Sequence, residues 1–332
     1  EDWVSSIAIR LSRRRRPFGQ GLACRSTVDR VRSNQKEETS MTASHRPRRS
    51  VLYMPGSNPR ALEKGRGLPA DVIIMDLEDA VAPEAKQTAR DLIGDAISYG
   101  GYGERELVVR TNALETEWGD ADLVFAATSG ADALLLAKVE NAETVQRAEA
   151  ALVAAGAPES LAIWCMMETP LAMLRAEAIA SASPRVGCLV MGTSDLAKDL
   201  HARHTSDRLP FVTSIGLCML AARAYGLAIL DGVFLDLADD AGFEASCRQG
   251  LDFGFDGKTL IHPKTIEAAN RVFAPDEAEL DWSRRIITAH GEAVEAGKGV
   301  LLVDGKLVEA LHVAEAQRLV AMAELIERMQ VG

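Results

Sequence analysis

Between Ser50 and Ile261 the chain carries eight short apolar runs of β type, each followed by a longer stretch with helical spacing. The runs are 51–54 (VLYM), 72–77 (VIIMDL), 107–111 (LVVRT), 134–139 (LLLAKV), 161–167 (LAIWCMM), 187–191 (GCLVM), 228–234 (AILDGVF) and 255–261 (FDGKTLI). Segments between them, such as 84–98, 141–155, 170–182 and 239–250, are rich in Ala, Glu, Arg and Leu, and several open with Pro or Asn. Their apolar positions recur at roughly the 3.6-residue helical period. A crossover that leaves one strand and returns over the sheet makes the next strand parallel, so strict alternation predicts a parallel sheet. Eight such units in about 225 residues match an α/β fold of the closed (β/α)8 TIM-barrel type. A doubly wound open sheet fits less well. Its Gly-rich phosphate turn would follow the first strand, where the chain instead reads Pro55-Gly56-Ser57-Asn58-Pro59. The stretch Gly254-Phe255-Asp256-Gly257-Lys258-Thr259 spaces its glycines three apart and is no P-loop.

The chain continues past the eighth unit. Residues 276–298 read as an amphipathic helix, 300–308 as a hairpin turning at Asp304-Gly305, and 310–330 as a final helix. A closed barrel needs none of this, so the segment is expected to cap the barrel mouth or to pack on a neighbouring subunit. The other end differs in composition. Residues 1–40 hold nine Lys/Arg against five Asp/Glu, and no acid occurs from Trp3 to Val28. Arginines among serines and small residues resemble an organellar transit peptide, which would direct the chain to the mitochondrial matrix. Glu1 in place of Met, with Met41 just before the first strand, fits equally well with upstream sequence read through in translation; the expected compartment is then the cytoplasm. The expected organisation is a disordered extension over 1–47, a catalytic barrel over 48–275 and a lid and oligomerisation segment over 276–332.

Composition removes several function classes. The 332 residues are 47% apolar, enough for a sizeable core, yet no run approaches the roughly 18 apolar residues of a membrane span. A net charge of -11 opposes the phosphate neutralisation on which nucleic-acid binding depends. Five scattered cysteines without a C-x-x-C pair fit neither a disulfide framework nor a zinc site, and no G-x-S-x-G elbow is present.

In such a barrel chemistry sits at the carboxyl ends of the strands, so charged residues that close the apolar runs carry the most weight. Glu168 follows the fifth run and Asp195 lies just past the sixth. Neighbouring strands would bring the two carboxylates together, and two hard oxygen ligands without thiols suit Mg2+ or Mn2+. Either residue could instead cap the helix that begins beside it. Arg110 ends the third run, where its guanidinium could grip a substrate carboxylate or pair internally with Asp76, Glu78 and Asp79; Lys138 has the same ambiguity. His262, before Pro263, reads as a structural or ligand-edge histidine.

The motifs RRSVLYMPGSNPR, MDLEDAVAP, VVRTNAL, AKVENAE, METP, MGTSDLAKDL, LDGVFLDLADDAGF, GKTLIHPKTI and VDGKLVEALHVAEAQRL follow one another from Arg48 to the C-terminus. In that order they resemble the HpcH/HpaI aldolase and citrate lyase family, in particular its citrate lyase β-subunit, malyl-CoA lyase and citramalyl-CoA lyase branch. The resemblance implies Mg2+ on Glu168 and Asp195 and an oxo-acid carboxylate on Arg110. It also implies a coenzyme A channel near Lys64, Lys258 and His262. Homotrimers or hexamers are implied as well, in which the C-terminal hairpin closes over a neighbour's barrel and delivers a carboxylate. That carboxylate is usually aspartate, and Glu309 stands at the matching position. Ser194 stands where many relatives place an acid before the metal aspartate.

These parts imply reversible carbon–carbon cleavage of a 3-hydroxyacyl-CoA such as malyl-CoA or citramalyl-CoA, giving acetyl-CoA or propionyl-CoA and a 2-oxo acid. Arg110 would orient the acid and Glu309 would act as general base in the condensation direction. Further readings are a citrate lyase β-subunit, a malyl-CoA thioesterase that admits water to the same site, a class II aldolase for a free 2-keto-4-hydroxy acid, and a non-catalytic partner subunit. The C-terminal hairpin and the 258–264 segment argue against the free-acid aldolase.

Overall fold

The computed structural model describes residues 46–295 and 301–331. Eight strands, β1 (Ser50–Pro55), β2 (Val72–Asp76), β3 (Glu106–Thr111), β4 (Ala133–Leu136), β5 (Ala162–Met167), β6 (Val186–Met191), β7 (Ala228–Asp231) and β8 (Gly257–Leu260), close in sequence order into one barrel. Each neighbouring pair is parallel, and β8 returns to β1 through Val51 opposite Thr259. The (β/α)8 expectation is met, and every apolar run forms a strand. Two runs stop three residues short of their sequence limits. The fourth ends at Leu136 because Lys138 turns to a left-handed φ of 53°, and the seventh ends at the buried Asp231. The helical stretch expected over 170–182 breaks in two at Arg175, giving Pro170–Leu174 and Ala176–Ala180.

Alternation along the strands sorts side chains into two cores. Val51, Val72, Ile74, Val108, Leu135, Trp164, Val190 and Leu230 fill the barrel, with Tyr53 and Met166 towards the carboxyl ends. The opposite faces, among them Ile73, Met75, Val109, Leu134, Ile163 and Leu189, pack under the helices. The amino-terminal end of the barrel is closed by charge pairs. Arg48 grips Glu106 at 2.6 and 2.8 Å and covers the Trp164 ring at 5.0 Å, while Arg49 grips Asp71 at 2.8 and 2.9 Å. Polar groups that line this end are therefore structural partners of one another, which leaves the carboxyl end for chemistry.

After β8 come a helix over Glu277–Glu295, strands β9 (Leu301–Val303) and β10 (Lys306–Val308), and a helix over Ala310–Val331. The two strands pair antiparallel across Asp304 and Gly305, both at positive φ as a tight hairpin turn requires. Ile286, Val303, Val308, Val313 and Ala316 form their own small core. Glu315, Arg318, Leu319 and Met322 of the last helix line a cavity of about 740 Å3 together with Arg46, Arg48, Arg49 and Asp256. That cavity is at the amino-terminal end of the barrel. Of the two placements expected for this segment, capping its own barrel mouth is therefore not what the chain does. Among the described residues no helix is long and apolar enough to cross a membrane. The transit-peptide, read-through and disorder expectations for residues 1–45 lie outside the described residues.

Candidate active site

The ends of five consecutive strands, β2 to β6, supply the polar groups at the carboxyl-terminal mouth. Asp76 closes β2 directly opposite Arg110 of β3, and the register places their side chains as neighbours. Arg110 Nε and Nη2 donate to the two oxygens of Asp76 at 2.7 and 2.6 Å, a two-pronged pair that fixes the plane of the guanidinium. Its Nη1 stands 2.7 Å from Oε2 of Glu78 and 3.5 Å from Asp79, and the face of the group lies 4.9 Å from the Tyr53 ring. Burial works against the charge on Arg110, but the hydrogen-bonded Asp76 more than offsets it. The internal salt bridge left open by the sequence is thus formed. Nη1 and Nη2 still carry hydrogens that Asp76 does not take, so pairing and substrate recognition are compatible.

Glu168 follows β5 and is 2% exposed. Its Oε1 accepts the backbone N–H of Lys138 at 2.8 Å and faces Lys138 Nζ at 3.5 Å. Asp195 sits in the first turn of the helix Thr193–Asp199 that follows β6, and its Oδ2 accepts a short hydrogen bond from the same Nζ. Neither acid caps a helix through its side chain: Thr169 caps Pro170–Leu174, and no side chain caps Thr193–Asp199. Burial pushes the Glu168 carboxyl up against the pull of Lys138. At the more open Asp195 burial acts the same way, but the Lys138 ammonium prevails and holds it below the ordinary aspartate range. Gly192 makes room for this pair. A Cβ there would lie 2.4 Å from Glu168 Cβ and 2.8 Å from its Oε2.

The donor set fits a hard divalent cation. Two carboxylates from neighbouring strands converge on one ammonium, which shows that the point between them is a place for positive charge. Among the described residues no group of three or more His, Cys, Asp or Glu side chains forms a closed cage. Mg2+ does not require one, since it commonly takes one or two carboxylates and leaves its other positions to water and substrate oxygen. Glu78 is nearby, with Oε2 buried and without a hydrogen bond of good geometry despite the adjacent Arg110. Burial pushes its carboxyl up to about 7.

The remaining sequence-derived residues divide. Lys64, in the last turn of the helix Pro59–Gly65, and His262, whose Nδ1 accepts the Lys264 N–H at 3.1 Å, are exposed. Lys258 is different. It is 1% exposed, and its ammonium pairs at 2.6 Å with Asp231, which also accepts from Arg208 at 2.6 Å. As a coenzyme A contact Lys258 is corrected: it is a buried structural cation joining β7 to β8. Glu309 is exposed, and its backbone N–H donates to His312 Nδ1 at 2.9 Å. Six residues further on, Glu315 lines the cavity at the other end of the barrel, and six helical residues span only about 9 Å. A single chain therefore does not bring Glu309 to its own mouth.

Sequence reasoning passed over the support of Glu78. Lys86 Nζ donates to the carbonyls of Leu77 and Glu78 at 2.7 and 2.8 Å and to Asn112 Oδ1 at 2.7 Å. Asn112 in turn donates to Asp122 at 2.6 Å, and Asp122 accepts from Arg90 at 2.5 Å. One signal was available. A lysine opening the helix Lys86–Tyr99 is placed against the helix dipole, and such a cation needs another partner.

A parallel barrel whose carboxyl-end mouth brings the buried Glu168 and the partly exposed Asp195 together beside an aspartate-clamped arginine has the layout of an enzyme active site. Residues 49–263 match the HpcH/HpaI aldolase/citrate lyase family, and the chain belongs to that family. A protein of Cereibacter sphaeroides named (3S)-malyl-CoA thioesterase is 52% identical over 280 residues, covering 84% of this chain and 96% of its own. Citrate lyase subunit beta of Escherichia coli is 34% identical over 285 residues, covering 84% and 94%. Among solved structures, CitE of Mycobacterium tuberculosis in complex with magnesium, acetoacetate and coenzyme A superposes with a TM-score of 0.65 at 29% identity, covering 83% of this chain and 97% of that one. RipC of Yersinia pestis superposes with a TM-score of 0.61 at 28% identity, covering 71% and 99%.

Proposed function

We propose that the protein is a Mg2+-dependent enzyme that reversibly cleaves the carbon–carbon bond of a short 3-hydroxyacyl-CoA of the malyl-CoA or citramalyl-CoA type. The products are acetyl-CoA or propionyl-CoA and a 2-oxo acid. The observation that carries this reading is the meeting of Glu168 and Asp195 on one cation at the barrel mouth. A divalent ion held there, Mg2+ or Mn2+, would polarise the hydroxyl or oxo oxygen of the acid fragment without a proton transfer. Arg110, its plane set by Asp76, presents its remaining N–H groups to the substrate carboxylate. The thioester tail runs past the exposed Lys64 and His262, which offer donors to the coenzyme A phosphates. Glu309 of a second copy in a homotrimer or hexamer supplies the carboxylate that exchanges a proton with the α-carbon.

A second reading, thioester hydrolysis, is favoured by the name of the relative that is 52% identical. Both readings use the same substrate, metal and arginine, and they differ in whether the 3-hydroxyl or a water is deprotonated. One experiment separates them. The protein is incubated with (3S)-malyl-CoA and Mg2+ and the products are weighed by mass spectrometry. Acetyl-CoA with glyoxylate establishes cleavage, and malate with free coenzyme A establishes hydrolysis. Turnover of neither kind with (3S)-malyl-CoA or with citramalyl-CoA in its place, or turnover that survives EDTA, sinks the proposal.

A further inference from the structure

Among the described residues Lys138 pairs with both acids of the site, and it engages them through its backbone and its side chain. Its backbone N–H donates to Glu168 Oε1, while its Nζ lies between Glu168 Oε1 and Asp195 Oδ2. The residue holds a φ of 53°, a left-handed backbone that costs a lysine energy and must be compensated by what it permits. This turn, two residues beyond the end of β4, aims both the N–H and the side chain at the carboxylates. About one third of the side chain is exposed, so Nζ has solvent to move into without disturbing the core.

We propose that Lys138 is a built-in counter-ion that occupies the cation position in the metal-free protein and is displaced when a divalent ion binds. The inference rests on the metal reading of Glu168 and Asp195 and adds a residue whose role is positioning rather than catalysis. An ion ligated by these oxygens stands roughly 2.0–2.1 Å from each, a distance that leaves no space for an ammonium on the same atoms. Like charges also repel. The flexible stem of Lys138 lets Nζ leave, whereas the backbone N–H stays and keeps Glu168 Oε1 aimed at the site. One residue thus divides its work: the amide holds geometry in both states, and the amine neutralises the acids only in one. Without that amine, Glu168 and Asp195 would face each other unneutralised, close to the further acid Glu78. The ammonium therefore lowers the affinity for metal while it stabilises the metal-free fold.

The test is direct binding of Mn2+, read by the loss of the free-ion electron paramagnetic resonance signal and by calorimetry, with no substrate present. Lys138→Met removes the charge and keeps the stem; it is expected to tighten Mn2+ binding at least about tenfold over the unsubstituted protein. Its metal-free melting temperature is expected to fall and to recover on adding Mn2+ by more than the unsubstituted protein gains. Lys138→Arg keeps the charge and is expected to bind within about threefold of the unsubstituted protein or more weakly. Equal or weaker Mn2+ binding by Lys138→Met overturns the inference, as does tightening by Lys138→Arg to the same degree. If the unsubstituted protein binds no Mn2+ at roughly millimolar concentration, or if Glu168→Gln binds as well as it does, the metal reading itself fails and the inference with it.

Discussion

Replacing Glu78 by Gln should change the pH dependence of stability more than stability itself. The carboxyl is buried beside the barrel mouth, and burial raises it from an ordinary 4.5 to about 7 despite the neighbouring Arg110. In the unfolded chain the group loses its proton near 4.5, while in the folded protein it keeps the proton until about 7. Between those values the folded state binds more protons, so its stability falls as pH rises through the window. The shift corresponds to about 3 kcal/mol, fully incurred above about pH 7 and absent below the unfolded value. Glutamine is isosteric and cannot ionise, so the variant lacks this slope. Urea unfolding of both proteins in EDTA, from about pH 5 to about pH 8, isolates the effect because every other titrating group cancels in the difference. The variant should gain on the parent by about 2–3 kcal/mol across that range. A difference that stays flat would mean that Glu78 is solvated or fully paired by Arg110, and the argument from burial would be wrong.

Gly192→Ala forces Glu168 aside, since the new methyl would sit 2.4 Å from its Cβ; Mn2+ affinity should fall about 100-fold or more while the melting temperature drops by only a few degrees, and unchanged affinity would refute the placement. Lys258→Met leaves Asp231 with Arg208 as its sole cation and should cost about 3 kcal/mol in urea unfolding, with KM for a coenzyme A ester unaltered in the folded protein; a raised KM would restore Lys258 to the substrate channel. Lys64→Ala and His262→Ala remove exposed donors and should each raise KM for the thioester a few-fold, by about 1 kcal/mol, with kcat preserved. Mixing two inactive variants, Arg110→Lys and Glu309→Gln, should restore part of the activity if Glu309 serves another copy's mouth, and mixtures as inactive as their parts would exclude that arrangement.

The barrel was legible because its signal is repeated. Any one apolar run, such as 134–139, can be read as a strand or as part of a buried helix, but eight runs alternating with helical periods allow few other closures. The boundaries were legible only where local chemistry sets them. Asp304-Gly305 fixes its own turn, and both residues take positive φ as that turn requires. Lys138 gave no such warning, since nothing about a lysine after an apolar run announces a left-handed backbone, and so β4 ends earlier than its apolar pattern does.

The same distinction runs through the site. Glu168 and Asp195 could be paired from the sequence because strands β5 and β6 are consecutive, and consecutive parallel strands lie side by side in any barrel of this order. The partners of Arg110 and Lys258 could not. Each lies at or near a strand end beside at least one acid, and the choice between substrate and internal partner depends on register to within one residue. Asp76 stands opposite Arg110, and Asp231 stands opposite Lys258, so both cations meet a carboxylate across one strand spacing. What separates them is depth. Lys258 comes early in β8, paired with Ser50 at the start of β1, and its stem is sealed inside, whereas Arg110 is the penultimate residue of β3 and keeps one edge at the mouth. Strand length and stagger set that depth, and a residue pattern of period two carries no record of either.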